Sequence, residues 1–261
     1  MKTRKGLKGG NLRRGIFLLP NLFTSMNLFC GFYAVIAAMD GKFLAAATSI
    51  IIACVFDNMD GKIARATGTT SRFGVEYDSL ADVISFGVAP GVMMYLWALK
   101  PFGRIGWLAA FLFMACGALR LARFNTQVGT VDSDYFVGLP IPAGAGMNAA
   151  TVMIFYKFNI TGNAYPVLIL AMLYILSFLM VSSIKYYSFK KMELFHKMNF
   201  NALVAAVLII IFVASQPSIA LFLSGAAYVL SGPITTWRHH KKTKRKEAEN
   251  PEVSEQRTHL I

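Results

Sequence analysis

The chain has 261 residues, of which 56% are hydrophobic, and its mean hydropathy is +0.52. A soluble domain is about 45–50% apolar, and here the excess lies in long uncharged runs, which excludes a single water-soluble domain and favours a membrane-embedded one. The net charge of +13 would suit a nucleic-acid-binding protein, but the basic residues cluster at the chain ends and between the apolar runs, as in membrane proteins, so we expect no nucleic acid as a partner.

The uncharged runs predict an all-α, polytopic membrane protein with about eight spans. A span needs about 20 residues. The run from Phe43 to Phe56 is shorter than that and is predicted to continue as helix to Arg65. The run 198–237 is long enough for two spans and contains the turn-forming pair Gln216-Pro217. The predicted spans are 15–39, 43–65, 74–99, 105–123, 140–156, 165–184 and the two parts of 198–237.

The distribution of lysine and arginine predicts that both termini are cytoplasmic. Six basic residues lie in segment 1–14, four in the loop 185–197 and seven in the tail 238–261, against four on the opposite face. We therefore divide the chain into a basic cytoplasmic N-terminal segment (1–14), a transmembrane domain (15–237) and a basic cytoplasmic tail (238–261). The tail is charged and lacks apolar periodicity, so we expect it to be disordered.

Acidic residues are concentrated where spans two and three meet the cytoplasm. Asp57 and Asp60 are three residues apart, and Asp78 and Asp82 are four apart, so each pair shares one face of a helix. A short connection folds the two helices into a hairpin that lets the pairs face each other. Clustered carboxylates need cations among them to stay ionised, and oxygen ligands suit magnesium, manganese or calcium. Two such ions can serve phosphoryl-type displacement.

Residues 57–82 read DNMDGKIARATGTTSRFGVEYDSLAD. This segment resembles the motif of the CDP-alcohol phosphotransferase family: D-x-x-D-G-x-x-A-R, eight residues, then G-x-x-x-D-x-x-x-D. All eight fixed positions of the motif are met. Small residues such as Gly61, Ala64 and Gly74 leave room for a nucleotide close to the backbone, and Arg65 can counter phosphate charge.

The resemblance implies an enzyme with two divalent cations, magnesium or manganese, held by Asp57, Asp60, Asp78 and Asp82. Asp82 would also be the general base that takes the proton of the acceptor hydroxyl. The expected donor substrate is CDP-diacylglycerol. The residues expected at its nucleotide and pyrophosphate are Asn21, Thr24, Gly61, Ala64, Arg65, Thr70, Ser71 and Gly74. Asn21 and Thr24 belong, with Asn27, to a polar face of span one whose alternative role is hydrogen bonding between helices.

Two further stretches bear on the acceptor. The sequence ARFN followed by GLPIP, with PNLFTSMNLFCGF ahead of the motif, resembles the phosphatidylserine synthase branch of the family. The resemblance implies L-serine as acceptor, with Arg120, Arg123 and Asn125 as its binding residues. One arginine can bind a carboxylate through two hydrogen bonds. The alternative role for both arginines is to anchor the topology at the membrane surface.

Other functions remain open from the residues alone. Arg120 and Arg123 together could bind a phosphorylated acceptor, such as glycerol 3-phosphate or an inositol phosphate. A cation transporter could also use intramembrane acids, but transporter sites usually lie at the midplane, whereas these acids lie at one membrane face. We expect the enzyme in the cell membrane, with the active site facing the cytoplasm, and as a homodimer, as the family resemblance implies.

Overall fold

A computed structural model describes residues 9–69, 71–127, 135–187 and 200–249. This part of the chain is almost entirely helical. The α-helices are α1 (Gly9–Met39), α2 (Phe43–Thr67), α3 (Arg72–Asp82), α4 (Ala89–Met94), α5 (Arg104–Gln127), α6 (Ile141–Lys157), α7 (Pro166–Val181), α8 (Phe200–Ser215) and α9 (Pro217–Glu249).

Five helical segments in the described residues are long and apolar enough to cross a membrane. They are Leu19–Met39, Phe43–Thr67, Arg72–Phe102, Arg104–Thr126 and Pro217–Thr236. They coincide with predicted spans one to four and eight. The other three predicted spans correspond to α6, α7 and α8, which have 17, 16 and 16 residues. The total of eight spans and the cytoplasmic termini therefore remain predictions.

The third span is one continuous rod with two changes of helical winding. Asp82 ends α3, and a π-helical turn follows at Val83–Val88; after α4, a second π-helix (Tyr95–Leu99) and a 3₁₀ turn (Lys100–Phe102) complete the rod. A π-helical turn shifts the direction of every later side chain and often occurs at functional sites. Here it separates the aspartate-bearing end of the rod from its apolar remainder.

The rod packs tightly against α1. A Cβ atom on Gly31 of α1 would collide with the backbone and side chain of Ser85, which lies in the first π-helical turn. The Ser85 hydroxyl donates a hydrogen bond to the Asn27 carbonyl oxygen of α1, at 3.0 Å. On the other side of α1, Ser49 of α2 donates to the Cys30 carbonyl oxygen at 2.8 Å. The close contact places the polar face of α1 between the two aspartate-bearing helices.

A tight turn joins α2 to α3. Gly68 follows α2 with a left-handed backbone (φ 62°), and the N–H of Thr69 donates to the Ala64 carbonyl oxygen at 3.0 Å. Ser71 then begins α3 as its N-cap, accepting a hydrogen bond from the Gly74 N–H at 3.0 Å. Glycine at the end of one helix and serine at the start of the next are the expected residues for such a reversal.

Two short strands depart from the predicted all-α fold. Tyr135–Val137 (β1) and Lys185–Tyr187 (β2) pair antiparallel, with Phe136 opposite Tyr186. They follow α5 and α7, which end on the same side of the bundle. Gly138 follows β1 with a left-handed backbone (φ 77°) and lies close to α7. A Cβ atom on Gly138 would collide with the Met180 carbonyl oxygen. Long-range pairing of this kind has no local sequence signal, so the strands were not predicted.

The helices at both ends of the chain are longer than predicted. α1 begins at Gly9, inside the N-terminal segment 1–14, and α9 continues to Glu249, inside the tail 238–261. The expectation of a disordered tail is therefore wrong for residues 238–249. Their lysines, arginines, alanine and glutamates are good helix formers and include no glycine or proline, so the preceding span continues without interruption. Residues 250–261 lie outside the described part.

Candidate active site

Three predicted metal ligands meet at one point. Asp57, Asp60 and Asp78 each have a carboxylate oxygen within 4.8 Å of the corresponding oxygens of the other two. The tight turn between α2 and α3 reverses the chain, so that carboxylates from the two helices can reach one point. The fourth carboxylate, that of Asp82, is buried and lies against that of Asp57.

The polar face of α1 holds two of these carboxylates. The Thr24 hydroxyl donates to Asp60 Oδ2 at 2.8 Å, and Asn27 Nδ2 donates to Asp82 Oδ1 at 3.1 Å. Thr24, Asn27, Asp60 and Asp82 are all at least nine-tenths buried. The α1 side chains therefore orient one aspartate of each pair.

The cluster has the chemistry of a cation site. In the described part of the chain the only ion pair within 4.0 Å joins Lys42 to Asp40, so none of the four aspartates has a lysine or arginine partner there. Asp78 Oδ1 is buried and has no hydrogen-bond donor among the described residues. Close carboxylates without a cation repel each other, and hard divalent ions prefer oxygen ligands. The residues present thus fit a divalent cation.

Residues predicted for the nucleotide lie beside the aspartates on two elements. Asn21 Oδ1 and Ser71 Oγ both approach Gly74 and lie 3.3 and 3.2 Å from where a Cβ atom on Gly74 would stand. An alanine at position 74 would therefore reduce the space between these side chains and the helix backbone. On α2, Arg65 is exposed and its guanidinium lies over Gly61, 3.3 Å from where a Cβ atom on Gly61 would stand.

Two other predicted nucleotide residues are less informative. Ala64 is half-buried, with its carbonyl oxygen used in the turn that ends α2. Thr70 lies outside the described residues.

The three predicted acceptor residues differ in environment. Arg120 is 9% exposed, and its Nε has no hydrogen-bond partner among the described residues. Its guanidinium lies within electrostatic range of Asp82. Arg123 is exposed, one helical turn further on. Asn125 is half-buried, and its Nδ2 donates to Ser79 Oγ at 2.9 Å.

Some residues at the site were not assigned by the sequence. Asn27 was noted only as part of the polar face of α1, although its spacing of three residues from Thr24 is the signal that could have placed it. Tyr77 was missed entirely; its hydroxyl lies 2.9 Å from Ser25 Oγ and its ring stacks on Phe73. Tyr228 of α9 lies within electrostatic range of Arg120, and no local pattern indicates a contact between residues so far apart in the chain.

Comparison with known proteins gives consistent matches. A sequence model described as CDP-alcohol phosphatidyltransferase matches residues 17–182. CDP-diacylglycerol–serine O-phosphatidyltransferase of Helicobacter pylori (strain 26695) is 38% identical over 219 residues, 84% of this chain and 91% of its own. Archaetidylserine synthase of Methanothermobacter thermautotrophicus is 39% identical over 64% of this chain and 69% of its own. CDP-diacylglycerol–serine O-phosphatidyltransferase of Methanocaldococcus jannaschii is 37% identical over 66% of this chain and 75% of its own.

Proposed function

Because the chain belongs to the CDP-alcohol phosphatidyltransferase family, we propose that it transfers the phosphatidyl group of CDP-diacylglycerol to L-serine, forming phosphatidylserine and CMP. The observation that carries the proposal is the carboxylate cluster of Asp57, Asp60 and Asp78, whose oxygens lie within 4.8 Å of one another and form no ion pair with a lysine or arginine in the described chain. The names of the H. pylori and M. jannaschii relatives supply the substrates.

Asp57, Asp60, Asp78 and Asp82 would hold two divalent cations, magnesium or manganese. When bound, the ions would neutralise the pyrophosphate of the substrate and stabilise the negative charge that develops during transfer. Proton transfer and substrate binding are then assigned to side chains of the protein.

Asp82 is the proposed general base. Its Oδ1 accepts a hydrogen bond from Asn27, which holds the carboxylate in place. Asp82 would then take the proton of the serine hydroxyl. The serine oxygen then forms a bond to the phosphorus that carries diacylglycerol, and the bond from that phosphorus to the CMP oxygen breaks.

The nucleotide is proposed to lie along α2 and the start of α3. Gly61, Ala64 and Gly74 would allow it close to the backbone, and Arg65 would face its phosphates. Asn21, Thr24, Ser71 and Thr70 complete the proposed set; Thr24 would act through Asp60, to which it is bonded.

For the acceptor, the environments favour Arg120 over Arg123. A buried guanidinium with an unpartnered Nε retains the capacity to bind a carboxylate, whereas the exposed Arg123 suits the membrane surface. Asn125 would adjoin the acceptor through Ser79, to which it is bonded.

The test is CMP release from CDP-diacylglycerol by the purified protein with magnesium or manganese. Serine, glycerol 3-phosphate and inositol phosphate are supplied in separate reactions. We expect release with serine only. Release with a phosphorylated acceptor instead would keep the aspartate chemistry but refute serine as substrate, and no release in any reaction would refute the transfer itself.

A further inference from the structure

The last helix, α9, leaves the bundle on the side of the aspartates. A Cβ atom on Gly232 of α9 would collide with the ring of Tyr186 in β2, and the Tyr186 hydroxyl donates to the Val229 carbonyl oxygen at 3.3 Å. β2 pairs with β1, which follows α5. At the end of α5, Asn125 Nδ2 donates to Ser79 Oγ of α3 at 2.9 Å. Described contacts thus connect the middle of α9, through the hairpin and α5, to the helix that carries the second aspartate pair.

Beyond its apolar span, α9 continues as a strongly basic helix. The span ends at Thr236, whereas the helix ends at Glu249. At about 1.5 Å per residue, this extension is about 20 Å long. Residues 238–246 read RHHKKTKRK and include no aspartate or glutamate. The run of cations therefore begins directly after the span, on the membrane face that also contains the aspartate site.

Four of these cations share one face of the helix. They follow the spacing i, i+3, i+4 and i+7, and they are Arg238, Lys241, Lys242 and Arg245. Glu247 falls on the opposite face at about 100° per residue, and Glu249 lies at the far end of the helix. The four residues, here called the basic face, form a compact positive surface over two helical turns.

The position of the basic face favours anionic phospholipid as its partner. Along the helix, Arg238 lies about 3 Å and Lys242 about 9 Å from Thr236. The longer distance is close to the screening length of about 8 Å at physiological ionic strength, so these cations act on charge at the membrane surface. Clusters of lysine and arginine directly after a span are typical of anionic lipid recognition. Nucleic acid would meet the same charges only by displacing the lipid surface beside them.

We infer that the basic face of α9 binds the headgroups of anionic phospholipids on the membrane face of the aspartate site, and so concentrates the lipid donor there. Recruitment of the donor rests on the proposed function, because CDP-diacylglycerol carries negative charge on its pyrophosphate. Phosphatidylserine and phosphatidylglycerol share this chemistry, a phosphate-bearing headgroup with net negative charge. The helix lies outside residues 17–182, the segment matched by the family model.

The decisive variant is R238Q/K241Q/K242Q/R245Q, in which glutamine removes the charge of the basic face and keeps a high helix propensity. The charge-matched control is K42Q/K100Q/R104Q/K157Q. It removes four exposed cations from the opposite side of the bundle. The two variants have the same net charge and differ only in where the cations are lost.

Lipid binding is measured without turnover. The proteins are placed in phosphatidylcholine nanodiscs that contain photoactivatable phosphatidylglycerol or phosphatidylserine, and cross-linked peptides are identified by mass spectrometry. In the wild type we expect both lipids to cross-link to residues 237–249 at low salt, and less at high salt. Each cation near the surface adds about fivefold to lipid binding, so the basic-face variant should lose about 10-fold or more. The control should keep its cross-links in this segment.

CMP release tests recruitment of the donor. KM for CDP-diacylglycerol, as its mole fraction in phosphatidylcholine nanodiscs, should rise about 5- to 20-fold in the basic-face variant, equivalent to the loss of one or two such contacts. The kcat and the KM for serine should change less than about twofold, and the control should match the wild type. Added phosphatidylglycerol should compete with the donor in the wild type and leave the variant unchanged.

Equal cross-linking of residues 237–249 in the wild type and the basic-face variant would overturn the inference. Cross-links confined to phosphatidylserine would also overturn it, since charge would then not be the basis of recognition, and so would RNA binding by this helix without lipid cross-links. Lipid cross-links with an unchanged donor KM would overturn recruitment. Wild-type protein that cross-links to both lipids but releases no CMP with serine would instead refute the proposed function, so the two failures are distinguishable.

Discussion

Single side chains of α1 determine how the aspartates are presented. Thr24 bonds to Asp60 and Asn27 bonds to Asp82, so each aspartate-bearing helix is tied to α1 by one buried hydrogen bond. The Asn27 Oδ1 atom is buried and has no hydrogen-bond donor in the described chain. A hydrogen bond to a charged carboxylate contributes about 1.5–3 kcal/mol, enough to hold one rotamer.

Asp82→Asn should reduce kcat by about 100- to 10,000-fold, because the amide cannot accept the hydroxyl proton. Binding of CDP-diacylglycerol should persist, since three other aspartates remain. Turnover and equilibrium binding are measured on the same preparation, with Glu76→Gln as the control, an exposed acid outside the motif. Substantial turnover by Asp82→Asn would contradict its role as base.

Asn27→Leu should lower kcat by about 10-fold or more while changing KM for CDP-diacylglycerol less, because Asp82 loses the donor that orients it. Steady-state kinetics measure both parameters. Ser25→Ala is the matched control, since Ser25 also projects from α1 but contacts Tyr77 rather than an aspartate. Equal kcat values for the two variants would show that the Asn27 bond does not matter for catalysis.

Removal of divalent ions by EDTA should abolish CMP release, and magnesium or manganese should restore it. The physical reason is that carboxylate oxygens of Asp57, Asp60 and Asp78 lie within 4.8 Å of one another and form no ion pair with a lysine or arginine in the described chain. EDTA already saturated with magnesium serves as the control and should have no effect. Full activity in excess EDTA would refute a metal-dependent reaction.

The geometry of the site also depends on how its helices are joined and packed, at positions where a larger side chain would not fit. The turn at Gly68 and Ser71 reverses the chain between the aspartate pairs, and the contact of Gly31 with Ser85 draws α1 against the π-helical turn after Asp82. The same contact carries the hydrogen bond from Ser85 to the Asn27 carbonyl oxygen. Helix packing and site geometry are therefore coupled through α1.

Gly31→Ala should destabilise the protein by about 1–3 kcal/mol, the cost of forcing an extra methyl group into a packed interface, and should also lower kcat by shifting Asn27. Thermal unfolding in detergent and CMP release measure the two effects. Gly146→Ala is the matched control, because a Cβ atom on this helical glycine would meet nothing within 4 Å. Wild-type stability of Gly31→Ala would contradict the close packing of α1 on the rod.

At the scale of the whole molecule, the aspartates, the turn before α3, the end of α5 and the hairpin all lie on one side of the bundle. The loops that join α1 to α2, the rod to α5 and α6 to α7 lie on the other side. We propose that this side faces the cytoplasm of the cell membrane, because the sequence concentrates lysine and arginine in the segments 1–14, 185–197 and 238–261, which we predict to be cytoplasmic. The proposed homodimer would leave this orientation unchanged.

Cysteine labelling in intact cells tests this orientation. Asn163→Cys, exposed between α6 and α7, should react with a membrane-impermeant maleimide, whereas Arg72→Cys, exposed at the start of α3, should react only after permeabilisation. The unmodified protein, with Cys30 and Cys116 buried, measures the background. The reverse labelling pattern would place the active site outside the cell.

The amino-acid sequence is enough to predict the membrane class, the family and the clustering of the four aspartates. These properties follow from local patterns: uncharged runs, and the spacing of residues along single helices. The prediction of the membrane class and family is confirmed, and five of the predicted spans recur as helices of sufficient length. The structure also brings Asp57, Asp60 and Asp78 together, as the short connection between their helices required.

The packing of the helices, which no local pattern predicts, selects the polar groups that meet. It paired Asn27 with Asp82, separated the buried Arg120 from the exposed Arg123, and packed Tyr228 of α9 against Tyr186 of β2. The two contacts join residues 55 and 42 positions apart and depend on the rotation of each helix about its axis. The spacing of residues along one helix does not determine this rotation. It is set by the close packing at Gly31 and Gly232 and by the pairing of β1 with β2.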